Sequence, residues 1–431
     1  MSSFGHLQPP APTPRVFIVG GGIVGSALAY FLSESLPDKQ VVVLDKSISS
    51  LMGSTGIAPG FVGQLNVSTV LTRLAKESVA EYTSIPGGFD TVGGLELAST
   101  PAGVETLRQR LEYAKQAGLP AEIVSAEGAA CLAPDFIKTE EVERGLFFPT
   151  AGTANPGVIT AHYKQRAEKN GVLFVEVAVT GLKADNGVIT GISTLKGSLN
   201  TASDTVILAT GIWTRYVLSS TTSASPITGT PIPIIPVAHP YTYTTPRPRR
   251  QGKPYPFVRW PEHHVYARDH GDFDGLGCYN HMPSVALPTD SALGKWPASF
   301  ESVLSRAAQT CLKNGDAFLT QDAATSPSQA GGRPFNGIFS ITPDNLPFAG
   351  KAKATQNLWL CAAVWVTNAA GTAKLLAREM ARVEGSGKAD SDDAELLKAL
   401  DPDRFKGGNM ESLTKQALTR YNDIYNSEPV E

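Results

Sequence analysis

Short unbroken apolar runs alternate along this chain with longer stretches whose apolar positions recur every three or four residues. Val16-Phe17-Ile18-Val19 is the first run, brief and β-branched, as a parallel strand buried on both faces must be. Ala27, Leu28, Tyr30, Phe31 and Leu32 then keep one side of a helix, and Val41-Val42-Val43-Leu44 predicts a second strand. A helix is expected over 70–82, followed by a strand entry at 93–97. Thr100-Pro101 next opens a helix as N-cap and first position; Val104, Leu107, Leu111 and Ala114 share its apolar face, and Gly118 ends it. A further helix over 158–170 stops at Gly171, and Asn186-Gly187 between two apolar runs predicts a hairpin with a type I′ turn. The run 205–211 reads as a buried strand and 226–256 as Pro-dense with no helical period. Twisted antiparallel strands are expected over 257–281, a strand from Leu358, a helix over 372–384 and a last one near 411–425.

Glycine spacing gives the first of these elements a chemistry. Gly20, Gly22 and Gly25 stand in G-x-G-x-x-G spacing between the first strand and helix, and Asp45 closes the second strand. Gly20 permits a tight turn, Gly22 lets backbone approach a pyrophosphate, and Gly25 lets helix and strand pack closely. The helix N-terminus offers free N–H groups to phosphates, and Asp45 can accept from a ribose hydroxyl. Strand, turn, helix, strand and acid in register read as a dinucleotide site, without choosing between NAD and FAD. Two more segments fit a large flat ligand: the small-residue run from Met52 to Gly60, and the strand end Ala209-Thr210-Gly211.

Composition narrows the class. A chain of 431 residues with 42% hydrophobic and 18% charged residues builds a large core. The formal net charge of -3 excludes a general nucleic-acid surface, and the one basic block is Arg247-Pro-Arg249-Arg250. Four cysteines (Cys131, Cys278, Cys311, Cys361) lack C-x-x-C spacing, so neither zinc nor a disulfide framework is indicated. The apolar run from Leu358 to Val366 is too short to span a bilayer. Residues 1–14 show no apolar h-region and no arginine, so a Pro-rich disordered arm and a cytoplasmic protein are expected.

Three motifs together, Gly20-x-Gly22-x-x-Gly25, Ala209-Thr-Gly211 and Thr342-Pro-Asp-x-x-Pro-x-x-Gly350, resemble the D-amino-acid oxidase/glycine oxidase superfamily of FAD enzymes. The resemblance is greatest to the dimethylglycine oxidase and dehydrogenase branch and its sarcosine-oxidising relatives. Supporting segments are Gly53-Ser-Thr-x-x-Ala-Pro-Gly60, Val92-Gly-Gly-Leu-Glu96, Pro236-x-Ala-His239, His270-Gly-Asp272, Phe335-Asn-Gly-Ile-Phe-Ser340 and Ala363-Val-Trp-Val-Thr367. It implies an α/β (α+β) two-domain fold, with a Rossmann-type FAD-binding domain around a parallel sheet and an antiparallel-sheet substrate domain. The FAD domain is then discontinuous, over 15–90, 150–215 and 335–385, with the substrate domain over 91–149 and 216–334 and a linker and tail helix over 386–431. The same resemblance implies cofactor contacts at Gly20, Gly22, Ile23, Val24, Gly25, Asp45, Lys46, Gly53, Ser54, Thr55, Ala58 and Gly60. It continues them at Val177, Ala209, Thr210, Gly211, Trp213, Gly337, Pro343, Asp344, Trp365, Val366, Thr367 and Gly371.

Five of the seven histidines (His239, His263, His264, His270, His281) fall in the antiparallel stretch, without a metal-binding pattern. By resemblance His239 and Tyr266 fall on the family's active-site histidine and tyrosine. With a reference pKa of about 6.5, His239 is the candidate to take an ammonium proton, and Tyr266 the hydrogen-bond orienter. Where the family carries a histidine that bonds covalently to the flavin, this chain has Ile57, so FAD is expected to be held non-covalently. The bacterial enzyme continues into a folate-binding region beyond the length seen here, so any formaldehyde is expected to leave to water or another protein. The expected activity is oxidation of a secondary or tertiary N-methyl amine by hydride transfer to flavin, imine hydrolysis and formaldehyde release. Oxygen or a separate electron acceptor would then take the electrons. An amino-acid or cyclic-amine oxidase and a non-catalytic flavin-binding subunit stay open. A substrate carboxylate calls for a buried cation, with Arg259, Arg268 and Arg333 as candidates.

Overall fold

The structure is a computed structural model that describes residues 7, 14–223, 227–318, 334–387 and 390–424. The expected arm over 1–14 lies outside the described residues apart from Pro14 and Leu7, whose side chain is buried.

The first apolar run, Val16–Val19, pairs in parallel with Thr205–Leu208 on one side and Val41–Asp45 on the other. The full sheet has six strands, in the order Phe348–Lys351, Leu358–Ala362, Thr205–Leu208, Val16–Val19, Val41–Asp45, Leu173–Glu176, with the first pair antiparallel. Val16, Ile18, Val41, Val43 and Ile207 pack on helices Ile23–Ser35, Pro156–Lys169 and Ala369–Val383. Phe17, Val19, Val42, Leu44, Val206 and Leu208 pack on the antiparallel meander Val179–Asp185, Val188–Thr194, Gly197–Asn200. Both faces are covered, which is why these strands read as unbroken apolar runs. The meander turns at Asn186 and Gly187 with φ of 45° and 74°, the left-handed pair that a type I′ turn requires.

A second sheet of nine strands lies across the cleft from the first. Its order is Leu293–Gly294, Phe335–Ile341, Ile235–Tyr243, Asp274–Cys278, Val265–Asp269, Phe257–Trp260, Gly94–Ala98, Arg144–Phe148, Glu122–Ser125. Its back, including Leu95, Val258, Val265, Ala267 and Leu276, is covered by helices Ala126–Leu132 and Ser299–Cys311. Its front carries Tyr241 and Tyr266, and helix Met410–Asn422 packs there through Ala417 and Tyr421.

Three elements differ from the sequence expectation. Ile235–Tyr243 is a nine-residue strand inside the Pro-dense stretch, carrying Pro236 and Pro240. Ala238 N–H donates to Ser284 O on the edge away from Phe335–Ile341, and two-residue alternation puts both prolines' missing donors on that same edge. Helix Ser391–Ala399 begins at the end of the stretch expected as linker and was not expected from the sequence; its one buried residue, Leu396, leaves little apolar period to see. The helix expected from Thr372 begins at Ala369. Among the described residues no helix is long and apolar enough to cross a membrane.

Candidate active site

The cleft starts where Val16–Val19 runs into helix Ile23–Ser35. Gly20 has φ +109°, and a Cβ there would stand 2.4 Å from Ala209 O; one at Gly25 would stand 1.8 Å from Gly20 O. No side chain other than hydrogen fits either place, so strand, turn and helix close as the G-x-G-x-x-G reading requires. Asp45 Oδ2 reaches into this turn and accepts from Gly21 N–H at 2.6 Å, while Oδ1 accepts from Ser47 N–H at 2.8 Å just beyond its own strand. The helix begins at Gly22 without a side-chain cap, and Ile23 N–H donates to Thr55 Oγ1 at 3.2 Å. Lys46 Nζ lies 3.9 Å over the Trp213 ring and donates to Asp290 O at 2.6 Å; burial lowers its pKa from the ordinary lysine value.

The small-residue run forms the middle wall. A Cβ at Gly53 would meet Trp213 at 3.4 Å, and Gly60, with φ +74°, has Ala154 O 2.1 Å from where a Cβ would stand. Between them Ile57 points its Cδ1 toward Gly337, 3.6 Å from the space a Cβ there would fill.

The nine-stranded sheet closes the cleft with rings. His239 is 2% exposed and hydrogen-bonded at both nitrogens, Nε2 with Tyr266 Oη at 2.9 Å and Nδ1 with Tyr421 Oη at 2.6 Å. Its backbone N–H donates to Asn336 Oδ1 at 2.9 Å. The Tyr279 and Phe339 rings stand 4.5 and 4.9 Å from the imidazole. Burial, then the nearby His281, pushes the His239 pKa well below its ordinary value. The ring expected as the candidate to take an ammonium proton is thus buried, doubly hydrogen-bonded and less basic than a free imidazole. Tyr421 carries no sequence signal for this role beyond the four-residue spacing of Leu413, Ala417 and Tyr421 on its helix.

One cavity of about 560 Å³ joins these parts. Of the expected residues it is lined by Gly20, Gly22, Ile23, Val24, Asp45, Lys46, Gly53, Ser54, Thr55, Ala58, Gly60, Val177, Ala209, Thr210, Gly211, Trp213, Gly337, Trp365, Val366 and Thr367, together with His239 and Tyr266. Tyr241, Tyr279, Phe335, Phe339 and Cys361 join them without having been expected. Four expected residues lie elsewhere. Gly25 is packed under the turn, as above. Asp344 pairs with Arg404 at 2.7 Å and accepts from Leu346 N–H at 3.1 Å, fixing the turn that contains Pro343. Gly371 packs its helix on Thr69–Tyr82, where a Cβ would stand 2.3 Å from Leu74 O.

Of the candidate cations for a carboxylate, Arg259 and Arg268 are also outside the cleft lining. Arg259 is buried and paired with Glu96 at 2.8 Å, beside Arg110 at 2.6 Å. Arg268 donates through Nη1 to Pro59 O and, at 3.3 Å, to Ala154 O. Arg333 lies outside the described residues. The basic block at 247–250 is engaged by acids: Arg247 and Arg250 with Asp274 at 2.6 and 2.7 Å, and Arg249 with Asp272 at 2.8 Å. No group of His, Cys, Asp and Glu among the described residues is placed to hold a metal ion.

The residues present fit FAD. The glycine cradle that a Cβ would fill leaves room for a pyrophosphate, Asp45 lines the cavity beside it, and the small-residue wall leads from there to the aromatic roof.

Comparison with known proteins agrees. The family model described as DAO, FAD dependent oxidoreductase, matches residues 15–379. Dimethylglycine dehydrogenase of Rattus norvegicus is 26% identical over 384 residues, covering 83% of this chain and 42% of that protein. The formaldehyde-forming 4-methylaminobutanoate oxidase of Paenarthrobacter nicotinovorans is 30% identical over 214 residues, covering 48% and 25%. The chain thus spans less than half the length of these relatives. The structure of L-proline dehydrogenase from P. horikoshii superposes with a TM-score of 0.76 at 22% identity, over 92% of this chain and 99% of that one.

Proposed function

The chain belongs to the FAD-dependent oxidoreductase family, and from that premise we propose that it oxidises a C–N bond of a secondary or tertiary amine, N-methyl amines foremost. The observation that carries this reading is the hydrogen-bonded His239–Tyr266 pair, set in an aromatic roof and facing the glycine cradle along one cleft. FAD, when bound, supplies the two-electron acceptor for the oxidation. The cradle and middle wall, with Gly20, Gly22, Asp45, Thr55, Trp213 and Thr367 among the contacts, would hold it. Without a histidine at position 57, the attachment is non-covalent.

The chain's own part is positioning and proton handling. Rings of Tyr241, Tyr279, Phe335, Phe339 and Trp365 line the cleft and exclude water from an alkyl amine. The Tyr266 hydroxyl meets the amine nitrogen, and His239 behind it fixes that hydroxyl's direction. An amine freed of its proton has the lone pair that C–H cleavage needs. The resulting imine is hydrolysed by water, which for an N-methyl group gives formaldehyde and the demethylated amine. The similar 4-methylaminobutanoate oxidase is formaldehyde-forming. A panel of N-methyl amines, assayed for formaldehyde and peroxide, tests the proposal. Formaldehyde in step with amine consumption supports it; ammonia without formaldehyde selects primary amino acids instead.

A further inference from the structure

The hydrogen bonds behind Tyr266 do not end at His239. Tyr421 Oη, 2.6 Å from His239 Nδ1, is also 2.8 Å from His281 Nε2. His281 Nδ1 is in turn 3.1 Å from the backbone carbonyl of Met282, a residue 87% exposed. Helix Met410–Asn422 is pinned in this position, since Asn422 Nδ2 donates to Tyr279 O at 2.6 Å and His281 O at 2.8 Å. Four side chains therefore form an unbroken hydrogen-bonded line from the cleft to His281, a partly exposed residue next to exposed Met282.

The direction of every bond follows from its outer end. A carbonyl oxygen only accepts, so His281 Nδ1 carries a hydrogen and Nε2 of the neutral ring is an acceptor. Tyr421 must then donate its one hydrogen to His281, which leaves its oxygen to accept from His239 Nδ1–H. His239 Nε2 is then bare, and the Tyr266 hydroxyl donates to it. Burial lowers the pKa of both histidines, consistent with neutral rings. Each donor along the chain points outward.

We propose that Tyr266, His239, Tyr421 and His281 form a directional relay that exports the substrate ammonium's proton from the cleft to solvent. The proposal rests on the amine reading above. The ammonium N–H bond breaks and its proton joins Tyr266 Oη as the tyrosine's own proton passes to His239 Nε2. His239 gives its Nδ1 proton to Tyr421 Oη, Tyr421 gives its proton to His281 Nε2, and His281 Nδ1 releases one to water. One proton leaves the cleft, no electrons move, and rotation of the two hydroxyls with the return of both imidazole tautomers resets the chain. Tyr421 and His281 are positioning and transfer groups that never touch substrate.

Two measurements test it. Long-range ¹H–¹⁵N spectra of ¹⁵N-histidine-labelled holoprotein report each tautomer: the relay requires Nδ1–H at both His239 and His281, and an Nε2–H form at either overturns it. Anaerobic single turnover in weak buffer with an indicator dye reports proton release. Wild-type release is expected to keep pace with flavin bleaching, while Tyr421→Phe and His281→Ala slow release by about tenfold or more with FAD affinity unchanged. Added imidazole restores it in His281→Ala. Release at the wild-type rate in both variants contradicts the relay. Failure of the amine reading shows itself separately, as wild-type flavin that no amine bleaches.

Discussion

The Tyr266 ring occupies the place where a side chain at Gly277 would stand. The two residues are register partners on adjacent antiparallel strands, and a Cβ at Gly277 would lie 2.2 Å from Tyr266 Cζ. Glycine there lets the ring lie across the neighbouring strand and bring its hydroxyl to His239 Nε2. Gly275 does the same for Tyr241, whose Oη would lie 2.0 Å from an added Cβ. Gly277→Ala should therefore push the ring off His239 and slow amine-dependent flavin reduction on the order of 10²-fold, while FAD titration stays as in wild type. Unchanged reduction kinetics would show that the Tyr266 position does not matter.

Removing the pair itself should cost more. His239→Ala and Tyr266→Phe are expected to slow reduction by roughly 10²–10⁴-fold, the ordinary worth of a positioned proton-transfer group. Both stand away from the glycine cradle, so the purified variants should remain yellow. Stopped-flow reduction near wild-type rates in both would remove the pair from the mechanism.

The flavin should come off on denaturation. Ile57 offers no nucleophile at the position of the family's attachment histidine, and the one cysteine lining the cleft, Cys361, has its thiol pushed up to about 12 by burial. A thiol held protonated does not attack. Acid precipitation should leave a colourless pellet and a yellow supernatant. An intact-mass increase equal to FAD on the denatured chain would locate a bond elsewhere, with His6 and His162 the residues to examine first.

Stability depends on a buried triad, Glu96 with Arg110 and Arg259, in which Arg259 is the register partner of Tyr266 on the same face of the nine-stranded sheet. Burial pushes the Glu96 carboxyl up, but Arg110 and Arg259 outweigh it and hold its pKa below the ordinary value. A depressed folded pKa means that the stabilisation is complete above the unfolded value of about 4.3 and is lost as pH falls through the lower folded value. Glu96→Gln should destabilise by about 3–5 kcal/mol at neutral pH, since it leaves two buried guanidiniums without their carboxylate. The gap to wild type should close on acidification below about pH 4. Thermal melts across that range check the sign: a gap that widens toward acid contradicts it.

The dinucleotide half was legible because its constraints are local. Strands covered on both faces show as apolar runs, and a turn that tolerates no Cβ shows as glycines at fixed spacing. Gly371 shows where that signal misleads. It is small because its helix packs on Leu74, and residues 365–367 just before it reach the cleft instead. The strand Ile235–Tyr243 was hidden by Pro236 and Pro240, which are tolerated through an edge pairing set by distant residues. Tyr421 was invisible for a similar reason: its bond to His239 spans 182 positions, and no periodicity reports it. His239 lines the cleft, but its burial and its two ring hydrogen bonds are set by residues far apart in sequence.

The proposed work of this cleft is to hold FAD and oxidise an amine with it. Its most direct test is anaerobic titration of the purified holoprotein with a diverse amine library, followed in the flavin absorbance between 350 and 500 nm, roughly the range of the oxidised chromophore. Full bleaching by at least one secondary or tertiary N-methyl amine is expected, with formaldehyde formed in a one-to-one ratio to flavin reduced. Flavin that stays oxidised with every amine in the library would contradict it.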